Sequence, residues 1–278
     1  MSEFSVRGKR VVMVGGGRSG VAAAHLLRDR GAAVTLTDLR ADLPEAPRLL
    51  EAGITLELGY HDSRTLRAAD LIVISPGVPW RLPIVDDARS VGVPVVGEIE
   101  LASRWLRGRV IAITGTKGKS TTTTLVGRML QAAGLDAGVA GNIGTALALQ
   151  VPASTPASIH VVEVSSFQLE GTDTFHPWIA AVLNFSPDHL DRHASVEEYA
   201  AAKQRIFANQ DADDWTVTNT DDPAAVSLAA TSRAKRAWFG LDTRPAEGVT
   251  VADGAVSFVT ASSRPRPSRG WPAWPPTP

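Results

Sequence analysis

The sequence predicts an α/β protein with two successive domains, each built from parallel strands that alternate with helices. Its 278 residues are enough for about two domains. Short apolar runs rich in β-branched residues recur along the chain, and those at 11–14 and 110–113 are each followed by a glycine-rich turn and an amphipathic segment. Strands that alternate with helical segments in this way are typical of parallel sheets.

The composition is that of a globular protein and excludes several classes of partner. The formal net charge is −1 and the sequence shows no basic stripe, which argues against general binding to nucleic acid or to an anionic membrane. The absence of cysteine excludes disulfides and thiolate metal sites. The sequence shows neither a signal-peptide pattern nor a membrane-span pattern, and we expect a cytoplasmic monomer.

The first glycine-rich turn, at residues 15–20, predicts a diphosphate site in a Rossmann-like fold. Gly15, Gly17 and Gly20 match the pattern G-x-G-x-x-G, and Asp38 ends the next predicted strand 18 residues after Gly20, where an acidic residue meets a ribose. NAD is therefore one candidate ligand. A glycine turn at a helix N-terminus also holds the diphosphate of a nucleotide sugar, and an empty crevice is a third possibility.

The remainder of this domain adds a second loop at the same edge of the sheet. Residues 71–74 form an uninterrupted apolar strand, and Ser75 and Gly77 lie in the turn after it. Ligands of parallel sheets bind at the carboxyl ends of strands, so these two residues can contact whatever the first loop holds. A short closing strand at 93–97 and a helix at 98–106 are predicted to follow.

The second glycine-rich turn predicts a triphosphate site. Glycines allow backbone N–H groups to converge on phosphates, and the helix N-terminus adds partial positive charge. Lys119 can reach the β- and γ-phosphates, and the Ser120 hydroxyl can ligate Mg²⁺. The loop is shorter than G-x-x-x-x-G-K-[ST], because Ile113 stands where that pattern has its first glycine. A β–α turn without ligand is the alternative. The residues predicted to bind the nucleotide are Gly115, Thr116, Lys117, Gly118, Lys119, Ser120 and Thr121.

Polar side chains follow two later strands. Glu163 ends an apolar strand, where it is either a Mg²⁺ or water ligand or a solvent-exposed carboxylate of an edge strand. Two aspartates and two histidines follow the strand at 178–184, which favours a functional role for His189, while His193 is predicted to be a solvated neighbour. On the residues alone, Lys203 is a surface lysine in an amphipathic helix. The histidines predicted to be structural are His25, His61, His160 and His176.

Four motifs taken together resemble the Mur ligases. They are GTKGKST at 115–121, GNIG at 141–144, EVSSFQL at 163–169 and NFSPDHLDRH at 184–193. The segments SSFQ and TDLR (37–40) favour the members that add D-glutamate over those that add L-alanine. The resemblance implies a Rossmann-like N-terminal domain and a P-loop-type mononucleotide-binding α/β domain. It also implies an ATP- and Mg²⁺-dependent ligase of peptidoglycan precursor synthesis, which joins D-glutamate to UDP-N-acetylmuramoyl-L-alanine through an acyl phosphate.

The resemblance also implies roles for individual residues, with UDP rather than NAD on the first loop. The residues implied for the UDP substrate are Ser19, Asp38, Arg40, Gly77 and Asn142. Those implied for Mg²⁺ are Ser120, Glu163, His189 and a carbamylated Lys203. The residues implied for catalysis are Lys119, His189 and Lys203. Carbamylation requires a neutral amine, so burial must lower the pKa of Lys203.

The likeness stops before the end of the chain. The family has a third domain and a Gly-x-His-Asn segment, and neither is in this sequence. Residues 262–278 contain six prolines, which predict neither helix nor sheet pairing there. We therefore expect a frameshifted or truncated product that keeps substrate binding and loses ligation. The predicted domains are 1–97, an incomplete 98–261 and a tail at 262–278.

Three alternatives stay open. The first is another Mur ligase or a folylpolyglutamate-type amide ligase, since the residues that select the amino acid are not in this sequence. The second is a non-catalytic nucleotide-binding fragment. The third is an NAD-dependent oxidoreductase, for which the sequence offers no catalytic constellation.

Overall fold

The computed structural model describes residues 4–242, 248–252, 255–259 and 266–267. The strands are β1 (Arg10–Val14), β2 (Ala33–Asp38), β3 (Thr55–Leu58), β4 (Leu71–Ile74), β5 (Val95–Gly97), β6 (Arg109–Thr114), β7 (Ala137–Gly141), β8 (Ile159–Glu163), β9 (Ile179–Val182), β10 (Trp215–Asn219), β11 (Lys235–Gly240), β12 (Gly248–Ala252), β13 (Ala255–Val259) and β14 (Arg266–Pro267). The α-helices are α1 (Arg18–Asp29), α2 (Ala46–Glu51), α3 (Ser63–Arg67), α4 (Pro83–Ser90), α5 (Glu98–Ser103), α6 (Lys119–Ala132), α7 (Ser166–Glu170), α8 (Val196–Gln204) and α9 (Pro223–Ala229). Short 3₁₀ segments are Leu147–Ala153 and Arg205–Phe207.

The chain divides into two compact units. The first consists of Met1–Arg107, Ala140–Thr155 and Ser165–Phe175. The second consists of Gly108–Val139, Pro156–Val164 and His176–Pro278. The linear domain boundaries predicted from the sequence remain predictions. In the part of the chain that the structure describes, no helix has both the length and the apolar character needed to cross a membrane.

The first unit contains a five-stranded parallel sheet in the order β3-β2-β1-β4-β5. Val12 and Val14 of β1 and Ile72 and Ile74 of β4 share one apolar cluster. All four residues of β4 are buried, as expected for a parallel strand with both faces covered. The strand order reverses between β1 and β4, and in open α/β sheets the crevice at such a reversal is the ligand site.

The glycine turn between β1 and α1 has the predicted strand–turn–helix context. A Cβ on Gly20 would overlap the carbonyl oxygen of Gly15, so the start of α1 packs against the end of β1 at a distance that only glycine permits. This close approach brings the N-terminus of α1 to the carboxyl edge of the sheet.

The second unit contains the sheet with the order β14-β13-β12-β11-β10-β9-β6-β8-β7. Pairing is parallel from β8 through β6, β9, β10 and β11 to β12, and antiparallel from β12 to β14. Ile111 and Ile113 of β6 pack in one core with Ile159 and Val161 of β8. The carboxyl ends of β6, β8 and β9 lie side by side, which brings the segments that follow them together.

The predicted α/β class with parallel sheets is confirmed, and four local predictions need correction. The predicted helix at 98–106 ends at Ser103, and the predicted strand at 93–97 begins after Pro94, at Val95. The predicted strand at 178–184 is shorter and spans Ile179–Val182. The expectation that the proline-rich segment joins no sheet is wrong at Arg266–Pro267, which pair with β13. A two-residue edge strand tolerates proline, because its outer side needs no donor. The rest of that segment lies outside the described residues.

Candidate functional site

The phosphate loop connects β6 to α6 and has the conformation that its glycines predict. Gly118, the residue before the first turn of α6, has a φ of 79°, in the left-handed region that favours glycine. The helix begins at Lys119, so its positive end points out of the loop. A Cβ on Gly115 would meet the backbone of Asn184 at 3.4 Å, so the segment after β9 lies directly against the loop.

Ser120 and Glu163, both predicted as Mg²⁺ ligands, are in direct contact. The Ser120 hydroxyl donates a hydrogen bond to Oε2 of Glu163 at 2.7 Å. Glu163 is 1% exposed and ends β8, an interior strand, so the alternative of a solvated edge carboxylate is wrong. Hydroxyl and carboxylate oxygens are ligands that Mg²⁺ prefers, and the donor set therefore fits that ion. Nearby, the Lys119 ammonium donates to the carbonyl oxygen of Thr116 at 3.0 Å.

Lys203 is buried against the phosphate loop, which contradicts the interpretation as a surface lysine. It is 2% exposed, and its ammonium donates to the carbonyl oxygen of Gly115 at 2.9 Å. Burial lowers the pKa of Lys203 to about 7, with a contribution from the positive charge of Lys119 and an opposing one from Asp188. A substantial neutral fraction near pH 7 satisfies the condition for carbamylation. The alanines that precede Lys203 in α8 allow the helix to lie close to the phosphate loop. Hydrophobic periodicity does not predict this contact.

His189 lies in the loop after β9 in a strained conformation. With a φ of 54°, it is the single non-glycine residue with positive φ in the described part of the chain. Such conformations cost roughly 1–3 kcal/mol and are concentrated at functional sites. Its N–H donates to Oδ1 of Asp188 at 2.9 Å. His193, predicted to be solvated, is 1% exposed, because its ring packs 5.2 Å from the ring of Tyr199; burial lowers its pKa.

Tyr199 connects these groups, a role that its sequence context alone does not predict. Its ring lies 6.1 Å from the His189 ring, and the Lys203 ammonium lies 4.6 Å from its centroid. Its hydroxyl is 3.3 Å from the Thr116 hydroxyl. The available signal was its position four residues before Lys203, which puts both side chains on one face of α8. Through these contacts the structure brings the residues predicted for ATP and Mg²⁺ into one neighbourhood.

In the first unit, Asp38 is bound by its neighbours. Its Oδ2 accepts the N–H of Gly16 at 2.6 Å, and the Arg40 guanidinium donates to Oδ1 at 3.0 Å and Oδ2 at 2.9 Å. The hydrogen bonds from Arg40 hold the pKa of Asp38 well below its usual range. The Ser19 hydroxyl lies 3.4 Å from that of Ser75, so the first turn of α1 contacts the turn after β4.

The two remaining residues predicted for the UDP substrate are exposed. Gly77 lies in the turn after β4, and Asn142 lies in the turn after β7. The carbonyl of Ser75 accepts the N–H of Val78 at 2.9 Å, and this hydrogen bond closes the turn that contains Gly77. Gly77 thus lies at the same edge of the sheet as Ser75. Substrate roles for these residues remain predictions.

Two family models match this chain. The model for the Mur ligase MurD-like N-terminal domain matches residues 9–97, and the model for the Mur ligase middle domain matches residues 113–260, more than half of the chain. The chain belongs to the Mur ligase family. The resemblance inferred from the four motifs is thereby confirmed.

Two curated relatives of similar identity to this chain carry the same name. The UDP-N-acetylmuramoylalanine–D-glutamate ligase of Koribacter versatilis is 47% identical over 258 residues, which are 92% of this chain and 57% of that protein. The enzyme of the same name from Anaeromyxobacter dehalogenans is 49% identical over 243 residues, 86% of this chain and 52% of that protein. The chain thus spans little more than half the length of these curated relatives.

A solved structure of the Mur ligase family supports the fold. It is the UDP-N-acetylmuramate:L-alanyl-γ-D-glutamyl-meso-diaminopimelate ligase of Neisseria meningitides, with a TM-score of 0.60 and 19% identity, covering 91% of this chain and 84% of that one. At this identity the likeness establishes the fold alone.

Proposed function

We propose that this chain supplies the ATP site and the UDP-substrate site of a cytoplasmic ligase that joins D-glutamate to UDP-N-acetylmuramoyl-L-alanine, a step of peptidoglycan precursor synthesis. The relatives that carry this name are 47% and 49% identical to it. The observation that carries the proposal is the contact of the Ser120 hydroxyl with the buried Glu163 carboxylate at the start of α6. This is where a Mg²⁺–triphosphate would meet the phosphate loop.

The proposed reaction has two steps. In the first, the alanyl carboxylate attacks the γ-phosphorus of ATP, ADP leaves and an acyl phosphate forms. In the second, the amino group of D-glutamate attacks the acyl carbon, inorganic phosphate leaves and the amide forms. Positioning and charge neutralisation supply most of the catalysis in such transfers. Lys119 and the N-terminus of α6 would neutralise the negative charge that develops on the transferred phosphoryl group.

Mg²⁺ would be held by Ser120, Glu163, His189 and the carbamate of Lys203, and it would neutralise charge on the phosphoryl oxygens. For the carbamate, the neutral Lys203 amine attacks the carbon of CO₂ and releases one proton. A cation thereby becomes an anionic oxygen ligand. The lowered pKa of Lys203 supports this step, because the amine is partly neutral near pH 7.

The UDP substrate would lie on the first glycine loop. Ser19 would contact the diphosphate, and Gly77 and Asn142 would contact the rest of the substrate. Arg40 would reach the uracil end, oriented by the hydrogen bonds that Asp38 accepts. Because the Asp38 carboxylate is already bound to Gly16 and Arg40, we assign it mainly to holding the loop and the guanidinium in place.

The test is calorimetric titration of the 278-residue chain with UDP-N-acetylmuramoyl-L-alanine, with ATP plus Mg²⁺ and with NADH. We expect the UDP compound and ATP to bind and NADH not to bind. Binding of NADH without the UDP compound would overturn the proposal in favour of an oxidoreductase. Binding of neither nucleotide substrate would overturn it as well.

A pair of lysine variants locates the ATP. Removing a charged contact to phosphate costs about 1.5–3 kcal/mol, so Lys119→Met should weaken ATP binding by roughly 10- to 100-fold. It should leave the affinity for the UDP compound unchanged. The matched control is Lys235→Met, since Lys235 is half-exposed in the same unit and pairs with Asp213. Equal ATP affinities for the two variants would place the triphosphate elsewhere.

A further inference from the structure

The loop between β6 and α6 is held by a side chain to which the family motifs assign no role. We propose that Asn184 is a positioning residue whose carboxamide fixes the backbone at Thr116 and Lys117, so that the phosphates of ATP bind the N–H groups that follow. This inference rests on the ATP binding proposed above. It deepens that proposal by naming which parts of the loop are support and which contact the ligand.

The geometry is that of a two-sided clamp. Oδ1 of Asn184 accepts the N–H of Thr116 at 3.0 Å and the N–H of Lys117 at 2.8 Å. Nδ2 of Asn184 donates to the carbonyl oxygen of Lys117 at 3.0 Å. The N–H and C=O of Lys117 are therefore both bound by one side chain. An ionised aspartate of the same length offers only acceptors, whereas the carboxamide of Asn offers an acceptor and a donor side by side.

The clamp is itself supported from two sides. The Thr116 hydroxyl donates to the carbonyl oxygen of Ser186 at 3.1 Å and lies 3.0 Å from the N–H of Ser186, which donates to it. On the other side, the N–H of Phe185 donates to Asp222 at 2.8 Å, and Asp222 also caps α9. Asn184 is thus fixed between the loop and the start of a helix, which makes it a rigid support.

The clamp divides the loop into two functional parts. The N–H groups of Thr116 and Lys117 point to Asn184 and not to a ligand. The first N–H groups of a helix have no intrahelical partner, and in α6 the earliest intrahelical bond from this end runs from Thr122 to Gly118. The phosphates are thereby assigned to the N–H groups of residues 118–121. Thr116 and Lys117, predicted to bind ATP, serve as the framework.

The experiment measures the clamp and the ligand separately. Amide hydrogen exchange, followed by NMR without nucleotide, reports the N–H groups of Thr116 and Lys117; ATP affinity is measured by calorimetry. Asn184→Ala should accelerate exchange of the Lys117 amide at least tenfold and weaken ATP binding about tenfold. The Thr116 amide should change less, because its N–H is also bound by the backbone carbonyl oxygen of residue 184 at 3.2 Å, which the variant keeps. Asn184→Asp keeps the acceptor oxygen, so both amides should stay protected. The control is Gln131→Ala, which removes a carboxamide bound to the carbonyl oxygen of Ala137 at the far end of α6.

The outcomes are distinct. Unchanged exchange at Lys117 in Asn184→Ala would overturn the clamp, and so would wild-type ATP affinity in that variant. If the alanine variant does not fold, a tenfold acceleration in folded Asn184→Asp would overturn it equally. Failure of the wild-type chain to bind ATP would overturn the proposed function, whereas the exchange data would still report whether Asn184 holds the loop.

Discussion

Glu98 gives the first unit a pH dependence that a single substitution should remove. It is the first residue of α5 and is 1% exposed. Its carboxylate accepts one long hydrogen bond, from the N–H of Ala148 at 3.4 Å. Burial raises the pKa of Glu98 from its ordinary value of 4.5 to about 7, because one backbone donor compensates little of the lost hydration. We therefore predict that Glu98→Gln stabilises the chain above neutral pH.

The magnitude follows from the two pKa values. Between pH 4.5 and pH 7 the folded chain retains a proton on Glu98 that the unfolded chain has lost. The free energy of unfolding therefore falls as pH rises through this window and is constant above it. At 1.36 kcal/mol per pH unit, a window of about 2.5 units corresponds to about 3 kcal/mol. Glutamine has nearly the same shape and no charge, so the variant escapes this loss.

The assay is urea denaturation of the wild type and the variant between pH 5 and pH 8, followed by tryptophan fluorescence. The two chains should be similar at pH 5, and the variant should gain up to about 3 kcal/mol by pH 8. Glu51→Gln is the matched control, because Glu51 is exposed in α2 of the same unit. Parallel pH profiles for the wild type and Glu98→Gln would refute the reasoning. So would an equal gain in the control.

Two further predictions concern buried charges. Glu100 is fully buried and accepts hydrogen bonds from the N–H groups of residues 173–175 and from Arg104. Because Glu100→Ala leaves these donors buried without a partner, it should lower the free energy of unfolding, measured by urea titration, by about 3–5 kcal/mol. A loss below about 1 kcal/mol would contradict this. With ¹³C-bicarbonate, a carbamate signal from Lys203 should be stronger at pH 8 than at pH 6, because its neutral fraction rises through a pKa of about 7; persistence of the signal in Lys203→Arg would refute the assignment.

The features that could be predicted correctly from the sequence are those that short stretches of chain determine. Glycines at 15–20 and 115–118 fix two turns, because the turns need positive φ or a close approach that other residues resist. The apolar runs before them are short and rich in β-branched residues, which is typical of strands covered on both faces. Ser120 and Glu163 could be placed together because the carboxyl ends of parallel strands share one edge.

The burial of polar side chains could not be predicted from such local patterns. On the residues alone, Lys203 and His193 were predicted to be at the surface, and only the family resemblance implied that Lys203 is buried. Both are buried because of how α8 packs on the loop after β9. That packing depends on tertiary contacts such as the stacking of Tyr199 on Phe185, with ring centroids 5.2 Å apart. Hydrophobic periodicity along one helix carries no information about a partner that is distant in sequence. Asn184 was missed for the same reason, since its partners are 67 and 68 residues away.

Asp38 illustrates how a motif can be right about architecture and leave the ligand open. Its spacing from Gly20 predicted a carboxylate at the end of β2, and the structure has one there. Both oxygens, however, are engaged by Gly16 and Arg40, which are parts of the binding loops themselves. A carboxylate that already accepts these hydrogen bonds has less capacity left for a ribose hydroxyl. An acidic residue at this spacing is therefore evidence for how the glycine loop is held in place. Whether the loop binds a dinucleotide or a nucleotide sugar depends on the groups that the acidic residue orients, which here is the Arg40 guanidinium.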